Sequence, residues 1–177
     1  TPILTTHISN NEIQIDDKRL YERDDDSSIK TLYITVLPDE ENKNLDWYAL
    51  NRITERYSEE KLDIILAEGE PNGKGPKAGM FGASETTANA KISIRGNSAR
   101  KQPQKSYKIK LSDSAGTWND QTTINLNKHL ADGSRLRNKL SFDLMEGIPN
   151  ISSLRTQFVH LYVKDLTKLV ENCIESP

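Results

Sequence analysis

Residues 91–111, KISIRGNSARKQPQKSYKIKL, concentrate the groups in this chain best suited to chemistry on an anion. Lys91, Arg95, Arg100, Lys101, Lys105, Lys108 and Lys110 share 21 positions with no Asp or Glu. Cations at that density attract negative charge, and a strand lysine can hold a phosphate as a point charge. The two ends of the segment, Lys91–Arg95 and Ser106–Leu111, alternate with period two. In a strand this sends Tyr107, Ile109 and Leu111 to one face and Ser106, Lys108 and Lys110 to the other. Between them, Arg95-Gly96-Asn97-Ser98 forms a turn in which glycine permits close backbone approach while Asn97 and Ser98 add hydrogen-bonding groups. Periodicity alone favours the plainer account, the solvated face of an amphipathic hairpin. Binding of a polyanion without nucleotide selectivity is a further reading of the same charge.

Other motifs fail on their mechanics. In GEPNGKGPKAG, Gly69 and Gly73 enclose three residues where a Walker loop needs four, and Lys74 precedes Gly75 rather than Ser or Thr. Gly73, Gly75 and Gly79 give G-x-G-x-x-x-G, and Pro76 blocks a compact turn into a helix, so the stretch reads as a structural or disordered loop. There is no Gly-x-Ser-x-Gly elbow. Cys173 is the single cysteine, which excludes an intramolecular disulfide and a multi-cysteine zinc site. His7, His129 and His160 lie far apart without metal-ligand spacing. The acidic pairs Asp39/Glu40 and Glu59/Glu60 sit in polar runs that would not raise a carboxyl pKa. Asn150-Ile151-Ser152 matches the short glycosylation acceptor pattern.

Positioning the basic segment requires a sheet. Alternation at Glu12–Ile15 precedes the acidic triplet Asp24–Asp26, which reads as a solvated turn. Leu32–Leu37 and Leu62–Ala67 predict strands, and Thr122–Leu126 a shorter one. Trp47, Leu50, Ile53 and Tyr57 recur at steps of three and four after Asp46, predicting a capped helix of about three turns. Five of the nine glycines fall between Gly69 and Gly82, as in a long flexible connection. Ser134–Glu146 predicts a helix with Leu136, Leu140 and Leu144 on one core-forming face, begun by Asp132 or Ser134 and stopped by Gly147 and Pro149. Gln157–Val163 reads as a buried strand, and Leu166, Leu169, Val170, Cys173 and Ile174 fit a helix period or a loop. These elements make an α+β fold: an antiparallel sheet with one or two helices.

Composition limits the partners. With 24 Lys+Arg against 26 Asp+Glu in 177 residues, the net charge of −2 gives no chain-wide pull toward nucleic acid or anionic lipid. No stretch approaches the roughly 18–20 apolar residues of a membrane-spanning helix. Neither nucleic acid nor membrane is an expected partner.

The segments IRGNSARKQPQKSYKIKL, TINLNKHLADGSRLRNKLSFDLMEGIP and QFVHLYVKD together resemble the CotH kinase family of spore coat protein H-like atypical protein kinases. Five elements recur in the family's order: the Arg-Gly-Asn-Ser turn, the Lys-Ser-Tyr-Lys-Ile-Lys strand, a Leu-Asn element, a Leu-Arg-Asn-Lys-Leu helix and a Phe-Val-x-Leu-Tyr strand. They span roughly residues 90–165. The resemblance implies the N-terminal lobe of a protein-kinase-like fold, with residues 1–177 as one incomplete domain. It implies a lobe that binds ATP and, in the full-length protein, Mg2+, and that serves transfer of the γ-phosphate to Ser or Thr of a serine-rich basic protein. On this reading Arg95, Gly96, Asn97 and Ser98 approach the phosphates. Lys108 is the first choice for the phosphate lysine, Lys110 shares its face and Lys105 is a third candidate. Glu146 or Asp143 orients that lysine, and Arg137 and Asn138 have a structural or interlobe role. The partner would be a C-terminal lobe of the same polypeptide carrying the catalytic and metal-binding aspartates. The chain itself is then expected to hold no catalytic or metal residue and to be inactive alone. Localisation at a spore coat or cell surface follows from the same resemblance, as does the rival function of a non-catalytic coat or surface interaction module.

Overall fold

A computed structural model describes residues 6–9, 12–15, 29–39, 44–71 and 73–167. The acidic triplet Asp24–Asp26, Glu40 and the segment Leu169–Ile174 with Cys173 lie outside the described residues. The rest divides into two compact units, one built on residues 29–130 and the last strand, the other holding residues 131–158 and an N-terminal strand pair.

In the larger unit, β3 (Lys30–Val36), β4 (Leu62–Gly69), β5 (Ala90–Arg95), β6 (Ser106–Leu111), β7 (Thr123–Leu126) and β8 (Val159–Asp165) form one sheet in the order β7-β6-β5-β4-β3-β8. Neighbours from β7 to β3 are antiparallel, as expected, and β8 adds in parallel beside β3. This is an α+β architecture compatible with the N-terminal lobe of a kinase-like fold. Alternation in each strand sends one set of side chains to a shared core: Leu32, Ile34 and Val36 from β3, Leu62, Ile64 and Leu66 from β4, Ile92 and Ile94 from β5, Ile109 and Leu111 from β6. Each such residue, fully buried, contributes about 1.5–3 kcal/mol.

The first helix, α1 (Trp47–Arg52), begins where expected: the Asp46 carboxylate accepts from the Ala49 amide at 2.5 Å. It ends sooner than its apolar period suggests. Ile53 is already extended, followed by β-branched Thr54, and Tyr57 stands 81% exposed beyond the helix. Leu50 fills the core, and Trp47 stacks on Tyr107 at 5.2 Å between ring centres.

The glycine-rich stretch is anchored to the sheet rather than free of it. The Glu68 amide donates to the Phe81 carbonyl at 2.9 Å, and the Tyr33 hydroxyl donates to the Gly73 carbonyl at 2.5 Å. A Cβ on Gly82, at φ +67°, would lie 2.0 Å from the Leu66 carbonyl oxygen, so only glycine fits against β4 there. Further on, buried Asn89 bonds both backbone groups of Leu66, the amide at 2.7 Å and the carbonyl at 2.8 Å. It thereby extends the β4 ladder through a side chain.

The smaller unit contains the antiparallel pair β1 (Thr6–Ser9) and β2 (Glu12–Ile15), and the helix α2 (Arg137–Glu146). Asp132 organises the start of α2: one carboxylate oxygen accepts from the Ser134 hydroxyl at 2.7 Å and the other from the Arg137 amide at 3.0 Å. The Ser134 hydroxyl, aided by the neighbouring amides and the Arg137 guanidinium, holds the Asp132 carboxyl below its usual range.

Two burial expectations are corrected. Leu136, Leu140 and Leu144 are 53%, 57% and 64% exposed, and α2 contains no buried residue, so its leucines do not form a core. The Gln157–Val163 segment is not a buried strand either. β8 lies at the sheet's edge, with Tyr162 and Val163 exposed, because one side of an edge strand has no neighbour to cover it.

Candidate functional site

The face of the sheet opposite the α1 side is polar, and its composition follows from register. Ser93 on β5 lies opposite Lys108 on β6, which lies opposite Asn125 on β7; the next row holds Lys91, Lys110 and Thr123. A third row brings Arg95 opposite Ser106. Lys108 thus sits between two neutral groups able to hydrogen-bond. Lys110 sits beside another cation, Lys91, whose ammonium is 2.7 Å from the Asp63 carboxylate. Both Lys108 and Lys110 are exposed and make no ion pair among the described residues.

The other cations of the segment are differently engaged. Arg95, at the end of β5, donates to the Asn127 side-chain carbonyl. Gly96 follows at φ +92°, a conformation L side chains rarely adopt, and an added Cβ would meet the Ala99 Cβ at 3.1 Å. Asn97 precedes a 3-10 turn, Ser98–Lys101, with Asn97 and Ser98 both exposed. Lys105 donates through its ammonium to the Arg100 carbonyl. Arg100, which sequence reasoning counted with the accessible cations, is buried, and its guanidinium bonds three backbone carbonyls. Lys101 stays exposed.

The acids expected to orient a phosphate lysine lie on α2, in the other compact unit. Asp143 pairs with Lys139 one turn before it, at 2.9 Å, and Glu146 closes the helix ahead of Gly147. Arg137 pairs with Asp132 at 3.5 Å.

Asn127 and Asn51 were not singled out from the sequence. Asn51 accepts from the Tyr107 hydroxyl at 2.6 Å and donates to the Trp47 carbonyl at 2.7 Å, tying α1 to β6 behind the lysines. Burial pushes the Tyr107 phenol up to about 12. No local spacing marks either asparagine, because the bonds to Tyr107 and Arg95 are made across the fold.

Comparison with known families bears on this arrangement. The model of the CotH kinase protein family matches residues 92–171. Over this stretch the chain is similar to the CotH kinase family. The matched region begins inside β5 and runs through the Gly96 turn, β6, β7, α2 and β8. The match supports a kinase-related function in general. A search of curated proteins gave no match.

The residues present fit one of the groups a CotH kinase implies better than the other. The exposed lysines beside neutral donors, next to a glycine turn, suit phosphate oxygens. Among the described residues no three His, Cys, Asp or Glu side chains converge as ligands of a metal ion would. No step is therefore assigned to magnesium on this chain. No helix of the described residues is long and apolar enough to cross a membrane.

Proposed function

We propose that the polar face of β5, β6 and β7 binds the phosphates of ATP, and that the chain is the nucleotide-binding lobe of a CotH-like protein kinase. The observation that carries this reading is Lys108: an exposed ammonium in the middle of a rigid strand, flanked by Ser93 and Asn125, with no carboxylate paired to it among the described residues. Lys110 is the second contact. The Arg95–Ser98 turn borders the same face, its glycine leaving the backbone accessible. Lys105, whose ammonium faces a carbonyl, supports the turn rather than the ligand.

On this reading the γ-phosphate goes to Ser or Thr of a serine-rich basic coat or surface protein. The aspartates that position magnesium and the hydroxyl come from a second lobe of the same polypeptide. Phosphate transfer then requires that lobe as well as this one.

Calorimetric titration with ATP tests the assignment. Lys108→Ala should weaken binding about tenfold, and Lys101→Ala, which removes an exposed cation from the 3-10 turn, should leave it nearly unchanged. Equal losses would show attraction by charge alone. A second reading, a non-catalytic coat or surface interaction module, draws on the exposed Leu136, Leu140 and Leu144; absence of ATP binding by the intact protein would favour it.

A further inference from the structure

The most heavily committed cation of the segment is the one most withdrawn from solvent. Arg100 is 9% exposed, and each of its three guanidinium nitrogens donates to a different backbone carbonyl: Nε to Gly96 at 2.7 Å, Nη1 to Glu55 at 3.0 Å and Nη2 to Ile94 at 3.0 Å. These carbonyls belong to three pieces of chain: the turn itself, the segment leaving α1, and the end of β5. The Arg100 carbonyl in turn receives the Lys105 ammonium, and its amide donates to the Asn97 carbonyl at 3.3 Å. Among the described residues no carboxylate takes part. The planar fork matches carbonyls spread in fixed directions, which the single point of a lysine ammonium does not.

We infer that Arg100 is a positioning residue that holds the Arg95–Ser98 turn in its binding geometry, acting on the ligand through the Gly96 backbone rather than by contact. The inference rests on the proposed phosphate site and adds to it a residue that no solvent-facing cation could replace. Gly96 is the link: its carbonyl is gripped by Arg100 while its φ of +92° sets the direction in which Asn97 and Ser98 leave the strand. Without the grip the turn keeps its residues but samples other conformations, and ordering it on binding would weaken the ligand's hold.

The test uses the full chain, ATP titration and amide hydrogen exchange. In Arg100→Ala, exchange at Asn97–Ala99 should quicken while β4 stays protected, and ATP affinity should fall about tenfold. Millimolar guanidinium should restore much of that affinity in Arg100→Ala and none in Lys108→Ala, a rescue that loss of general stability would not give. Should Arg100→Ala fail to fold, Arg100→Lys provides the same comparison with intermediate loss expected. Affinity unchanged in Arg100→Ala while Lys108→Ala loses it would overturn the inference and leave the phosphate site standing. Wild-type protein that does not bind ATP overturns both. Unfolding of both Arg100 variants would mean that the residue holds the fold rather than the turn, which also overturns the inference.

Discussion

The β5–β6 pair and helix α2 both carry regular apolar periodicity in sequence, alternating in the strands and helical in α2, and arrive at opposite environments. Ile92, Ile109 and Leu111 are at most 2% exposed, whereas Leu136, Leu140 and Leu144 are all more than half exposed. The difference is in how each element finds a partner. A strand's hydrogen-bonded neighbours repeat its alternation on both sides, so pairing β5 with β4 and β6 builds one continuous apolar face that α1 closes with Leu50. A helix satisfies its backbone alone, and its apolar stripe needs a surface that the stripe does not itself specify. Periodicity therefore predicts the element in both regions and the burial only in the sheet.

The largest effect that separates the two regions should come from truncation. Ile109→Ala leaves a hole in the sheet core and is expected to cost about 2–5 kcal/mol. Leu140→Ala on the exposed helix face should cost less than about 0.5 kcal/mol. Denaturant unfolding of both variants measures this, and equal losses would mean that the α2 stripe is covered in solution. A smaller effect lies in the turn that joins the strands: Gly96→Val forces an L side chain to φ +92° and toward Ala99, at a cost of about 1–3 kcal/mol. Its melting temperature should fall, while Gly75→Val, where an added Cβ meets nothing within 4 Å, should barely move it.

A third expected effect is confined to alkaline pH. Tyr107 is raised to about 12 in the folded chain by burial, from 10.0 when free. Between those values the unfolded chain has lost the phenolic proton and the folded chain keeps it. Stability should thus fall as pH rises from about 10 to 12 and be unaffected by this group below that window. Tyr107→Phe should flatten that part of the stability profile, and an unchanged slope would remove Tyr107 as its source. No comparable alkaline step is expected from α2, which has no tyrosine.

The hairpin shows how far local pattern reaches. Lys91–Arg95 and Ser106–Leu111 predict strands with lysines on one face, and the observed register places Lys108 and Lys110 there together. The same pattern treats Arg100 as one more accessible cation, since a side chain's type does not reveal that carbonyls from residues 55, 94 and 96 will surround it. Lys91 is similarly reassigned by Asp63, which β4 brings alongside from 28 positions away. Helix α1 is legible at its start, where the Asp46 cap is local, and not at its end, where extended Ile53 and the carbonyl bond from Arg100 to Glu55 redirect the chain.

The sequence by itself determined the α+β class, the alternation that splits each central strand into an apolar and a polar side, the glycine turn, and the family-specific order of elements from residue 92 onward. These depend on periods of two or of three to four residues and on the backbone freedom of single glycines, all readable over a few positions. Tertiary structure alone decided that β8 joins in parallel at an edge, that the α2 leucines face outward, and that of seven neighbouring cations only some remain available for an anion. Those outcomes turn on pairings between distant segments, where one carboxylate or three carbonyls arriving from elsewhere in the chain change what a cation can do.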